Sequence, residues 1–224
     1  CFNYFNKFNE SVNQAEKRLY YDSAFYLLNR AIELQPTFVN PYISLGELER
    51  SAGRFPEAKK HYYKALSLKS FDETANAYLG LAIIYAITRN ADSSAFCFKN
   101  ALQLKPYFPE AHSNYGNFLD MTKQPEAALE QYAIAIGQNP DMFAPFLNRG
   151  RLYQRLHKCD EAMKDFEQAM TLNPNSGEVY FARAFCQAQR GAKALAVADI
   201  EKAMAMGYVL SGEGQRFYAA MKGR

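Results

Sequence analysis

The chain has 224 residues, with 26 Lys and Arg against 23 Asp and Glu, a formal net charge of +3, 49% hydrophobic residues and 22% charged ones. That apolar share excludes disorder over most of the length. So small a net charge, with no basic run longer than Lys17-Arg18 or Lys59-Lys60, argues against nucleic acid as a partner, because binding its phosphates needs clustered cations. No apolar stretch approaches the roughly 18 residues that cross a bilayer.

The chain opens on Cys1, followed by Phe2, Tyr4, Phe5 and Phe8. A leading cysteine resembles the mature terminus of a bacterial lipoprotein after its signal peptide is removed. The expectation is lipid on Cys1, holding a water-exposed body at a membrane face, with a periplasmic or outer-membrane location. The aromatic cluster would then cover the first hairpin or lie at headgroup level. The alternative is an untethered cytoplasmic chain. Cys97, Cys159 and Cys186 form no CxxC pair and are expected to be small, buried, reduced side chains inside helices.

Further along, Pro106, Pro140 and Pro174 stand 34 residues apart. Pro36 plus 34 reaches Ser70, and two extra residues before Pro106 are expected in a turn at 71–74. Each proline ends a similar phrase, Ala-Ile-Glu-Leu-Gln-Pro, Ala-Leu-Gln-Leu-Lys-Pro or Ala-Met-Thr-Leu-Asn-Pro, and cannot continue a helix. Small residues recur at Gly46, Ala82, Gly116, Gly150 and Ala184, four after Tyr42, Tyr78, His112, Phe146 and Tyr180. Twelve later come Ala58, Ser94, Ala128, Ala162 and Ala196. Tyr62, Phe98, Tyr132, Phe166 and Ile200 follow, and then Ala65, Ala101, Ala135, Ala169 and Ala203. Spacings of three and four line one helix face. Each unit therefore reads as two helices, brought close by small residues and filled by an aromatic. The turns between them fall at Gly53-Arg54, Arg89-Asn90, Lys123-Gln124, His157-Lys158 and Gly191-Ala192.

These positions resemble the tetratricopeptide repeat. The resemblance implies an all-α fold, a right-handed α-α superhelix of about six helical hairpins, at about 5–38, 39–74, 75–108, 109–142, 143–176 and 177–210. The first hairpin matches in its second helix, at Ala24, Leu28 and Ala31, and departs in its first, at Phe8, Ser11 and Val12. Residues 211–224 read as a capping helix, with Phe217, Tyr218 and Met221 over the last hairpin. The piece from Ser211 to Gly214 reads as a turn.

No HExxH, GxSxG, Walker-type or GxGxxG pattern is present. His61, His112 and His157 fall at three different repeat positions, and acids such as Glu57, Asp160 and Glu161 fall near helix starts, where they complement the dipole. The sequence thus offers no catalytic group, cofactor site or metal site.

What the resemblance does imply is a groove lined by first helices that holds a protein or an extended peptide, as part of a hetero-complex. Groove candidates are Asn114, Asn117, Asn148, Arg151 and Arg155. An asparagine amide both donates to and accepts from a peptide backbone. The asparagine ladder is partial, because Glu10, Ser44, Gly80 and Ala182 stand at the matching sites elsewhere. A carboxylate clamp for acidic tails is disfavoured, since Ser113, Glu178 and Ala182 occupy its basic places. The expectation is a non-catalytic scaffold, in the form of a lipoprotein subunit of a pilus, secretion or outer-membrane assembly machine. The alternatives are an intracellular adaptor, co-chaperone-like, or the regulatory arm of an enzyme.

Overall fold

The computed structural model describes residues 13–68 and 71–223. Cys1, Phe2, Tyr4, Phe5 and Phe8, and with them the segment where the first helix of the first hairpin is expected, lie outside the described residues. The described residues form twelve helices and no strand. In chain order these are α1 (Gln14–Leu34), α2 (Val39–Ser51), α3 (Phe55–Ser67), α4 (Phe71–Ile87), α5 (Ala91–Leu104), α6 (Pro109–Met121), α7 (Pro125–Gln138), α8 (Phe143–Arg155), α9 (Cys159–Leu172), α10 (Gly177–Gln189), α11 (Lys193–Ala205) and α12 (Gly212–Met221). The chain divides into two compact units, residues 1–111 and 112–224.

Both units use one hairpin design. The second-helix alanines and Ser94 are fully buried, as are Tyr62, Phe98, Tyr132, Phe166 and Ile200. The small residue of each first helix makes room for that ring. A Cβ on Gly46 would stand 2.5 Å from Tyr62, one on Gly116 2.7 Å from Tyr132, and one on Gly150 2.7 Å from Phe166. Ser94 replaces alanine at no loss, because its hydroxyl donates to the Ala82 carbonyl at 2.9 Å and so stays satisfied.

The turn inside each hairpin is the same local structure five times over. Gly53, Arg89, Lys123, His157 and Gly191 all have positive φ, between 58° and 77°. The next residue's amide reaches back five positions, as in Arg54 to Glu49 at 2.8 Å and Lys158 to Tyr153 at 2.9 Å. This is the left-handed helix stop that satisfies the last carbonyls. Glycine adopts it freely, whereas Arg89, Lys123 and His157 carry a Cβ into strained space.

Three expectations are corrected. The two extra residues do not make a turn at 71–74. Together with two residues that are loop in the other repeats they join α4, which begins at Phe71 and runs 17 residues, against 13 in α2, α6, α8 and α10. Glu73, in the added turn, accepts from Asn40 Nδ2 at 2.7 Å and ties this extension to α2. The piece from Ser211 to Gly214 is a helix start rather than a free turn, because the Ser211 hydroxyl accepts from the Gly214 amide and caps α12. Cys97 and Cys186 are buried, but Cys159 is the first residue of α9, half-buried, and donates to Gln189 Oε1 at 2.9 Å.

In unit 1, α1 sets Ala24 and Leu28 against Leu45 and Leu48 of α2. In unit 2, α12 lays Phe217 on Phe185, with ring centroids 4.0 Å apart. Phe217, Tyr218 and Met221 close the cluster around Phe181, Ala184 and Ile200, which would otherwise expose the last apolar face.

Candidate functional site

The predicted groove residues of unit 2 sit on two first helices. On α6, Asn114, Asn117 and Asp120 follow at intervals of three, and on α8, Asn148, Arg151 and Arg155 at three and four. Each set therefore shares one helix face. The rotation of α8 is fixed from the opposite side. The Arg149 guanidinium grips the Asp165 carboxylate of α9 through two bonds, at 2.8 and 2.7 Å. Arg183 and Asp199 repeat the device 34 residues on, at 2.7 Å twice. Forked pairs of this kind are the stronger, orientation-fixing sort.

Asn117, Asn148, Arg151 and Arg155 do not stand alone on their helices. They form rungs between successive hairpins. Asn148 Nδ2 donates to Asn117 Oδ1 at 2.8 Å, and the Tyr132 hydroxyl donates to the same oxygen at 2.7 Å. Burial pushes the Tyr132 hydroxyl well above its ordinary pKa, and the charge of Asp120 adds to this, so the group is held neutral as a donor. Arg155 pairs with Asp120, and Arg151 Nη1 with Glu178 Oε1 at 2.7 Å. Asn114 is half-buried and lies one turn before Asn117.

The chemistry follows from what these bonds use up. Asn117 Oδ1 accepts two hydrogen bonds and is saturated, so the orientation of its amide is set. Its Nδ2 donors, and Asn148 Oδ1, take no further partner among the described residues. A donor and an acceptor thus stand side by side, the complement of one peptide unit. Both arginines are already neutralised by carboxylates, which leaves little positive potential for an acidic ligand.

Reading the sequence missed Asp120 and Tyr132 as members of this face, and treated Glu178 only as a misfit in a clamp. No pattern marked them, because separations of 35 residues for Asp120 and Arg155 and 27 for Arg151 and Glu178 become contacts only through the stagger of one hairpin on the next. The histidines are elsewhere. His112 Nδ1 meets Gln131 Oε1 at 2.8 Å, His157 sits in the left-handed turn, and burial lowers the pKa of the His61 imidazole. Among the described residues no group of three His, Cys, Asp or Glu side chains could hold a metal ion. No helix there is long and apolar enough to cross a membrane.

A family model described as tetratricopeptide repeat matches residues 147–207. Among curated proteins, the chain is 25% identical over 161 residues to anaphase-promoting complex subunit 3 of Schizosaccharomyces pombe, covering 72% of this chain and 24% of that one. It is 29% identical over 162 residues to the human protein O-mannosyl-transferase TMTC1, covering 70% and 18%. The chain thus spans about a quarter or less of the length of these relatives. Among solved structures, PilF of Pseudomonas aeruginosa superposes with a TM-score of 0.76 at 22% identity, covering 83% of each chain. PilW, a type IV pilus biogenesis factor, gives 0.74 at 20%, covering 83% and 86%. YrrB, a repeat protein with an unusual peptide-binding site, gives 0.64 at 21%, covering 88% and 98%. The matched segment, the hairpins that share its spacing and these superpositions agree: residues 147–207 are tetratricopeptide repeat, and the chain has the fold of tetratricopeptide-repeat proteins.

Proposed function

We propose that the chain is a non-catalytic scaffold that holds an extended segment of a partner protein against the Asn117–Asn148 face. The observation that carries this is the half-spent amide pair, a fixed donor beside a fixed acceptor. An extended segment can bond to both through its main chain, so the contact tolerates many side chains. Acidic tails gain little here, since Arg151 and Arg155 are held by Glu178 and Asp120.

The finer setting we propose is a hetero-complex at a membrane face, with lipid on Cys1 as the anchor, in a pilus, secretion or outer-membrane assembly machine. The likeness in fold to PilW supports this reading. A second reading, the repeat arm of a larger enzyme, is favoured by the small share of the transferase relative that the chain spans.

The test begins by purifying the native complex and identifying the partner by mass spectrometry. The bound segment is then made as a peptide and titrated calorimetrically. The reading expects Asn148→Ala combined with Asn114→Ala to weaken the peptide about tenfold, a loss of about 1.4 kcal/mol, with little change in Tm. An unchanged affinity removes the site. For the anchor, intact mass of native protein carrying acyl chains on Cys1 supports it, and a native chain with a bare cysteine there contradicts it.

A further inference from the structure

Unit 1 carries an aromatic cleft that plays no part in the site above. Helices α3, α4 and α5 converge on a space of about 390 Å³, at the small end of ligand sites. Tyr63 comes from α3, Tyr78 and Tyr85 with Leu81 between them from α4, and Asp92 and Phe96 from α5. Tyr78 holds the repeat position that Tyr42, His112, Phe146 and Tyr180 fill elsewhere. Those four are 7–8% exposed, whereas Tyr78 is only half-buried and turns part of its ring to the cleft. Phe96 is 61% and Tyr63 50% exposed, so the rim presents aromatic surface to water.

The spacing selects the occupant. Tyr78 and Tyr85 lie seven residues apart on one face of α4, which is about 10 Å along the axis at 1.5 Å per residue. A polyproline II helix advances about 9.3 Å per three-residue turn. Two prolines three apart can therefore rest one on each tyrosine, with Leu81 as the floor between them. The Tyr63 and Tyr85 hydroxyls meet at 2.6 Å. One proton is spent in that contact and the other remains for an acceptor, such as a peptide carbonyl.

Charge marks the flank. Asp92 is in the first turn of α5, just past the turn that follows Ile87, so it lies at the Tyr85 end of the cleft, is exposed and would take a flanking cation there, while Lys59 Nζ is held 5.4 Å from the Tyr85 ring centroid. A helical ligand, at about 10–12 Å across with its side chains, suits this small cleft poorly.

We propose that the cleft binds a proline-rich segment of a partner protein, with two prolines three residues apart and an arginine that reaches Asp92. The site is independent of the asparagine face, which lies in unit 2.

The test titrates the full chain with a synthetic peptide of about ten residues bearing Pro-x-x-Pro and a flanking Arg, and with its twin in which both prolines are alanine. The proline peptide should bind, and the twin about tenfold more weakly, because it loses the preformed helix and its ring contacts. Phe96→Ala, at an exposed position that leaves the fold intact, should weaken the proline peptide about fivefold. Asp92→Asn should abolish most of the salt dependence of binding. Equal binding of the two peptides overturns the proposal, as does tighter binding of an amphipathic helix. No binding of the proline peptide at millimolar concentration, or indifference to both Phe96→Ala and Asp92→Asn, also overturns it.

Discussion

The Phe166 ring occupies the place beside Gly150 where a side chain would have to go, with a Cβ there only 2.7 Å from the ring. Tyr132 stands to Gly116, and Tyr62 to Gly46, in the same relation. This close approach of two helices over a missing side chain is the unit from which both halves of the chain are built. Gly150→Ala forces the ring out of its well, and overpacking of this kind costs about 1–3 kcal/mol. Phe166→Ala leaves a cavity instead and costs about 3–5 kcal/mol. Chemical denaturation of the two variants checks both magnitudes, and a neutral Gly150→Ala would show that the seam has slack.

The five left-handed turns give a prediction of opposite sign. His157, Lys123 and Arg89 hold φ near +60°, where glycine is unstrained. Replacing each by glycine should raise stability by about 0.5–1 kcal/mol, the relief of strain exceeding the added freedom of the unfolded chain. Gly53→Ala and Gly191→Ala should lower it by a similar amount, although a Cβ at either position meets no atom within 4 Å. Thermal unfolding of the single variants measures the difference.

The cysteines should separate by reactivity. Burial pushes the Cys97 thiol up to about 11 and the Cys186 thiol up to about 12, the latter also through its hydrogen bond with Cys159. Reactivity needs the thiolate and access to it. At pH 8, iodoacetamide should modify half-buried Cys159 well before Cys97 or Cys186, which should react only on unfolding. Peptide mapping over a time course reads the order directly.

The Arg149–Asp165 pair makes a fourth prediction. Asp165 is 6% exposed at its side chain and Arg149 19%, so removing the carboxylate strands a largely buried cation. Asp165→Ala should cost about 2–3 kcal/mol, below the 3–5 kcal/mol of a fully buried pair because water reaches part of the guanidinium. Exchanging both residues for apolar ones should recover most of that loss. The check is a double-mutant cycle by denaturation.

The hairpin seams were legible in the sequence because each position answers to its own helix. Gly150 sits four after Phe146 and twelve before Ala162, and helical periodicity turns those intervals into faces. The left-handed turns were placed correctly at Gly53 and Gly191, and equally at Arg89, Lys123 and His157, by the repeat period alone. Interactions between hairpins were not legible. That Asn117 meets Asn148, or that Asp120 meets Arg155, depends on how one hairpin is staggered on the next, which no local spacing encodes. The α4 extension was misplaced for a related reason, since a two-residue insertion fits a turn or a helix start equally well until Glu73 is seen bonded to Asn40.

The central claim is that the Asn117–Asn148 pair offers one free donor and one free acceptor to a partner's main chain. Side-chain amide resonances of ¹⁵N-labelled protein, followed as the partner segment is added, test it most directly. The account predicts that the Asn117 side-chain amide shifts and becomes protected from solvent exchange on binding, while the Arg151 and Arg155 guanidinium signals stay in place. Binding that leaves the Asn117 amide unmoved and shifts the guanidinium signals instead would contradict it.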